Sequence, residues 1–226
     1  MNLCLHELRI RNAVPGDAGQ LAAWWNDGAV MAHAGFPLGL GVTPEAVERQ
    51  IAAESDEERR TLIIEYGLRP IGEMSYRDRS GGTAEIGVKI CEAAFQDKGL
   101  GRVLLSLFIR ELFAMGYEKI VLDTNRDNLR ARHVYEMLGF RKLRVNVDSW
   151  KDQLGRPQSS VDYEPLTKLL DDLSAYPESR MPPAGIYKRL LDWKVGSEGM
   201  DETEARKKFG TFTVGEWIDD LKESVM

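Results

Sequence analysis

Apolar and charged positions first alternate at Leu8-Arg9-Ile10-Arg11, the mark of a half-buried strand. Pro15-Gly16-Asp17 breaks the alternation. Leu21, Ala22, Trp24 and Trp25 then recur at helical spacing up to Asn26-Asp27-Gly28. Met31 to Val42 is glycine-rich and reads as a loop. Thr43-Pro44-Glu45 opens a second helix, with Thr43 as its cap and Pro44 in the first turn, and Val47 and Ile51 carry it to about Glu58. Three strands follow, at Thr61 to Tyr66, Ile71 to Tyr76 and Thr83 to Cys91. Their short connections predict an antiparallel meander.

A strongly amphipathic helix is predicted from Gly101 to about Met115, apolar at Val103, Leu104, Leu107, Phe108, Leu112 and Phe113. Lys119 to Thr124 reads as a buried strand and Asn128 to Leu138 as a helix closed by Gly139. Phe140 to Val147 and Ser160 to Leu166 are the last two strands, around a polar loop at Asp152 to Pro157. This order predicts an α/β (α+β) fold, a mixed, mostly antiparallel central sheet flanked by helices.

The texture changes beyond Leu166. Tyr176 to Gly185 holds three prolines and reads as a linker. Short helices are predicted at Ile186 to Val195 and Glu202 to Phe209, and Thr213-Val214-Gly215-Glu216 forms a capping box before Trp217. The expected division is a main domain over residues 1–166 and a helical extension over 167–226. The extension looks too small and too poor in apolar residues for a robust core of its own. It is expected to pack on the main domain or on a partner subunit, with Trp193, Phe209, Phe212, Trp217 and Ile218 as contacts; a homodimer is one such role.

Composition narrows the function. A net charge of −6 over 226 residues disfavours nucleic acid as a partner. Cys4 and Cys91 lie too far apart in sequence to suggest a disulfide framework or a metal site, which fits a reducing cytosol. No apolar run approaches the roughly 20 residues that cross a bilayer. Met1 to Arg11 lacks the apolar centre of a secretory signal. The expected compartment is the cytoplasm, most simply of a bacterium.

Two constellations carry candidate chemistry. Gln96-Asp97-Lys98-Gly99-Leu100-Gly101 lies between a strand and a helix start. A helix start offers unpaired N–H groups and the positive end of a dipole, and glycine lets a backbone approach an anion closely. Lys98 and Arg102 add positive charge. The turn lacks the Gly-Lys-Ser/Thr ending of nucleotide-hydrolysing loops, and alone it reads equally well as a tight turn. The second constellation is Asn125, Asn128, Ala131, Tyr135, Gly139 and Phe140, in which Asn128, Ala131 and Tyr135 fall near one helix face. Alone, it reads first as a helix cap, a packed alanine and a core tyrosine, since such residues are common at helix starts and in cores.

Together the two motifs resemble the GNAT N-acetyltransferase family, nearest its ribosomal-protein N-terminal acetyltransferase branch, over Leu8 to Leu166. The resemblance implies an acetyltransferase with acetyl-coenzyme A as co-substrate and no metal. It implies that Gln96 and the backbone of Asp97, Lys98, Gly99, Leu100, Gly101 and Arg102 hold the pyrophosphate, and that Ile90 and Cys91 bond the pantetheine arm. The strand ending there would splay from Lys119 to Thr124 and open a slot. Asn128 would bind the pantetheine or phosphate region, and Tyr135 would serve as general acid to the thiolate, with direct attack and no acyl-enzyme. Three acids are candidates for the base, Glu85, Asp123 and Glu73, beside water-mediated deprotonation; each also reads as a solvated strand charge.

The acceptor implied is a primary amine, either a small molecule or a protein N-terminus. Trp24, Trp25, His33, Phe36 and Trp150, with Asp27, Asp148 and Asp152, would line its pocket and suit a cation. Against this, the two adjacent tryptophans read as packing for the first helix. His6, His33 and His133 share no spacing. The competing function is a non-catalytic acyl-coenzyme A sensor or interaction module.

Overall fold

The computed structural model describes residues 1–164, 173, 175–198 and 201–225. One eight-stranded sheet, ordered β1-β2-β3-β4-β5-β6-β8-β7, organises the main domain. Its strands are β1 (Asn2–Leu5), β2 (Leu8–Asn12), β3 (Arg59–Tyr66), β4 (Arg69–Asp78), β5 (Thr83–Ile90), β6 (Lys119–Asn125), β7 (Arg141–Lys151) and β8 (Pro157–Glu164). All neighbours pair antiparallel except β5 and β6. The helices are α1 (Ala18–Trp25), α2 (Gly28–Met31), α3 (Pro44–Ala53), α4 (Leu100–Ala114) and α5 (Leu129–Met137).

Successive side chains of a strand point to opposite faces, so a strand covered on both sides reads as a continuous apolar run. Central strand β3 is such a run. Leu62 and Ile64 join the cluster under α4 and α5, with Met74, Ile86, Leu104, Phe108, Ile120 and Leu122. Ile63 turns to the other cluster, with Leu21, Trp24, Trp25, Val47 and Ile51 of α1 and α3.

The feature that matters for function is a seam. β5 pairs with β4 along its whole length, from Gly72↔Ile90 to Asp78↔Ala84. With β6 it pairs only at Thr83↔Lys119, Ala84↔Ile120 and Glu85↔Val121. From Leu122 to Asn125, β6 pairs with β8 instead. The two parallel strands thus part after Glu85, as the family resemblance implied.

Three elements differ from the sequence expectation. β1 is an added edge strand. The helix opened by Thr43 stops at Ala53, because the Glu54 carboxylate turns back to accept the Thr61 N–H (2.6 Å) and hydroxyl (2.7 Å). Within the predicted Met31 to Val42 loop lies the short Ala32–Ala34 turn, preceded by α2, whose cap is Asp27.

The C-terminal segment holds α6 (Ala184–Glu198), α7 (Glu202–Phe209) and α8 (Val214–Val225). Leu173, Leu190, Leu191, Ala205, Phe209, Val214, Trp217 and Ile218 form a buried cluster separate from those of the sheet. Its centre is an aromatic trio, Phe209, Phe212 and Trp217, with centroids 5.1 to 5.4 Å apart. The buried Lys194 ammonium pairs with Asp220 at 2.6 Å. This is more core than so few apolar positions promised: aromatic rings bury large areas each, and a paired lysine adds its aliphatic stem. Helix α6 also lies against α5. The Thr213–Glu216 capping box forms as expected. Leu166, and the side chain of Trp193, lie outside the described residues. Among the described residues no helix is long and apolar enough to cross a membrane.

Candidate functional site

The seam exposes backbone groups on β5. Hydrogen-bonded and non-bonded pairs alternate along an antiparallel ladder. The Cys91 N–H donates to the Ile71 carbonyl (2.9 Å) and the Arg79 N–H to that of Thr83 (2.8 Å), so odd-numbered residues of β5 face β4. Even-numbered Ile86, Val88 and Ile90 therefore direct their backbone groups toward the departed β6. The Ile90 carbonyl accepts from Gln96 Nε2 at 2.8 Å. This corrects one expectation: the Cys91 N–H is committed to β4, and the edge groups belong to Ile86, Val88 and Ile90. Burial first, then Glu73, pushes the Cys91 thiol up to about 12, which leaves little nucleophilic thiolate.

Beyond β5, a turn at Ala93–Phe95 leads into Gln96 and the start of α4. Gly99 caps α4 at φ 74°, a left-handed conformation that glycine adopts without a Cβ clash. Asp97 shares that region at φ 57°. Asp97, Lys98, Gly99 and Arg102 are exposed, and a helix start leaves its first N–H groups without intrahelical partners. Lys98 and Arg69 flank the Phe95 ring, 5.6 and 5.7 Å from its centroid. The far side of the turn is tied to α5: Arg130 donates to Gln96 Oε1 at 2.6 Å and pairs with Asp97 at 3.3 Å.

Helix α5 brings the second motif to the seam. Asn128 caps it, its Oδ1 accepting from the Ala131 N–H (3.2 Å) and its Nδ2 donating to Thr124 Oγ1 (3.3 Å). Much of its carboxamide is thus spent on local structure. Tyr135 is 6% exposed and packs edge-on to Tyr163, centroids 5.5 Å apart. Among the described residues no hydrogen bond engages its hydroxyl. Burial first, then Asp123 and Tyr163, holds this phenol well above its ordinary pKa. Behind it, the Tyr163 hydroxyl donates to Glu136 at 3.0 Å.

The three candidate bases separate clearly. Glu73 is buried with both oxygens engaged, one by Lys89 Nζ (2.8 Å) and the other by Trp25 Nε1 (2.9 Å). Glu85 forms an ion pair with Arg79. Asp123 stands on the lip of β6 opposite Asp162, and no ion pair engages it among the described residues. Its side chain shows area to solvent, yet the recess withholds part of its hydration. That desolvation first, then Glu85 and Asp162, raises its pKa, partly countered by Arg79. Asp162 itself is held by Arg144 and Asn146, both at 2.9 Å.

The expected acceptor lining is redistributed. Trp24 and Trp25 are buried, their indoles donating to Glu92 (3.1 Å) and Glu73, so they fasten α1 to the sheet. Asp27 caps α2, and Asp152 folds the β7–β8 turn by accepting from the Leu154 and Arg156 N–H groups, both at 2.9 Å. The Asp148 N–H donates to Ser159 Oγ at 3.0 Å. The Ala32–Ala34 turn lies beside β6, His33 and Phe36 are exposed, and Gly35 closes on the Trp150 ring. Among the described residues no three His, Cys, Asp or Glu side chains gather as a metal site.

A mostly antiparallel sheet split at its one parallel pair, with a glycine turn at the mouth of the split, defines the acyl-coenzyme A N-acyltransferase fold. The acetyltransferase (GNAT) domain model matches residues 7–141, and the chain belongs to that family. Solved structures agree in fold. A ribosomal L7/L12 α-N-protein acetyltransferase, RimL, in complex with coenzyme A is 14% identical, with a TM-score of 0.63 over 72% of this chain and 96% of its own. The Vibrio cholerae spermidine N-acetyltransferase, solved with coenzyme A and spermine, is 22% identical, with a TM-score of 0.63 over 70% and 95%. The microcin C7 self-immunity acetyltransferase MccE, solved with acetyl-coenzyme A and AMP, is 20% identical, with a TM-score of 0.61 over 70% and 92%. No curated protein sequence matches the chain.

The sequence reading did not single out Arg130, Asp162 or the edge groups of Ile86 and Val88. Asp162 sits in an alternating strand like any solvated charge. A register count along the meander would have placed the edge groups. Arg130 gave no signal, because its partner Gln96 lies 34 residues away.

Proposed function

We propose that the chain transfers the acetyl group of acetyl-coenzyme A to a primary amine by direct attack. One observation carries the reading: among the described residues the buried Tyr135 phenol has an unengaged hydroxyl, and the carboxylate whose charge acts on it, Asp123 beside the seam, has no ion-pair partner. The backbone N–H groups from Asp97 to Arg102, with Lys98 and Arg102, would receive the pyrophosphate. Ile86, Val88 and Ile90 would bond the pantetheine arm as a missing strand would. The Asn128 amide has one N–H left for it. Acetyl-coenzyme A supplies an activated thioester when bound.

Asp123 would attract the protonated amine and take its proton. A carboxylate with a raised pKa is the better base near neutrality. A backbone N–H of the β5 edge would meet the oxygen that gains charge. Tyr135 stays protonated at physiological pH and would donate to the departing sulfur. The high pKa of the Cys91 thiol favours direct attack over an acyl-enzyme. Glu85 and Asp162 already have guanidinium partners, so the recess has room for about one further positive charge, which suits an alkylammonium or a protein N-terminus.

The separate core of the C-terminal helices supports a catalytic domain over residues 1–166 and an extension over 167–226. The test is release of coenzyme A from acetyl-coenzyme A in the presence of amines: a polyamine, an aminoglycoside, an amino-sugar and N-terminal peptides. Release with at least one is expected. Tight binding of acetyl-coenzyme A with no release from any would contradict transfer and favour a sensor.

A further inference from the structure

The contacts of Arg130 have no part in acyl transfer itself, yet they join its two halves. Gln96 Nε2 donates to the Ile90 carbonyl at the end of β5, and Gln96 Oε1 accepts from Arg130 of α5. Both ends of the carboxamide are engaged, so its orientation is fixed. The same guanidinium nitrogen reaches Asp97 Oδ2 at 3.3 Å. Asp97 is an awkward residue for this place. It holds a left-handed backbone conformation, and it sets a negative charge in a turn read as receiving an anion. Arg130 meets both problems, pinning the corner through Gln96 and offsetting the Asp97 charge.

We propose that Arg130 is a positioning residue for capture of the coenzyme A diphosphate. It acts through Gln96 and Asp97 and takes no part in the chemical step. This rests on the coenzyme A reading above. Arg130 and Asp97 are largely exposed, so their pair adds little to stability. Its consequence is felt when an anion arrives beside an uncompensated carboxylate.

The test is calorimetric titration of the full chain with coenzyme A, alongside melting temperatures. Arg130→Ala is expected to raise Kd about tenfold and leave the melting temperature within about 2 °C of wild type. Arg130→Lys should recover part of the loss, since it restores the charge but on a shorter, more flexible side chain. Asp97→Asn in the Arg130→Ala background should recover half or more of it on a logarithmic scale, because the charge Arg130 offset is gone. An unchanged Kd in Arg130→Ala would overturn the proposal. So would an undiminished loss in the double variant, which would make Arg130 a direct phosphate ligand, or a parallel collapse in melting temperature, which would make its role structural. Failure of the wild-type chain to bind coenzyme A would overturn the functional reading itself.

Discussion

Two carboxylates on either side of β5, Glu73 on β4 and Asp123 on β6, show what the seam does to a charged group. Glu73 sits in a complete ladder, where both of its oxygens find donors in Lys89 and Trp25. Asp123 sits where the ladder is broken, and its recess raises its pKa. The two acids share a chemistry and differ in company. Among the described residues, the seam leaves hydrogen-bonding groups open at the Tyr135 hydroxyl and the Ile86 and Val88 edges, which a ligand can engage.

The contrast can be attacked from its strongest side first. Tyr135→Phe keeps the packing against Tyr163 and Phe140 and removes only the hydroxyl. Steady-state kinetics should show kcat lower by about a hundredfold with the coenzyme A Kd within about twofold. An unaltered kcat would remove Tyr135 from the mechanism. Glu73→Gln should do the reverse. Loss of a buried charge opposite Lys89 should cost about 1–2 kcal/mol, a melting temperature lower by roughly 3–6 °C, with kcat changed less than about threefold. A collapse of kcat in a folded Glu73→Gln would make Glu73 the base.

The smallest effect concerns stability at Asp123. Its folded pKa lies above the ordinary 3.8, so folding favours its protonated form. Its stabilising contribution is therefore full below about 3.8 and is lost as pH rises through the folded value. At neutral pH the ionised group is a mild burden, screened by solvent. Asp123→Asn should raise the melting temperature by about 1 °C at pH 7 and leave it nearly unchanged at pH 3.5. A fall at pH 7 would mean that Asp123 has a stabilising partner.

Much of this was legible in the sequence, for local reasons. The meander, the capped helices and the Gln96–Gly101 turn are written in alternation, end signals and glycine placement, all of which act over a few residues. Asn128 as a cap and Tyr135 as a core residue were also legible, but as alternatives to function; the two readings need not compete, since Tyr135 packs with its ring while, among the described residues, its hydroxyl has no partner. The seam was reached only through the family resemblance. Residues 86–90 read Ile-Gly-Val-Lys-Ile, the pattern of an ordinary paired strand, and nothing local reports that β6 has parted from them. β1 went unseen because its side chains are mostly exposed and have no core face to impose a period. Arg130 and the Glu54–Thr61 turn depend on contacts between distant or irregular segments, which no periodicity encodes.

The most direct test of the central claim, that chemistry resides where β5 and β6 part, is the pH dependence of kcat/KM for wild type and Asp123→Asn with the amine that supports turnover. The account predicts that wild-type activity falls toward acid through an apparent pKa displaced above the ordinary carboxylate value of 3.8, and that in Asp123→Asn this limb disappears with a rate lower by about a hundredfold or more. A variant that keeps both the wild-type rate and the acid limb would contradict it.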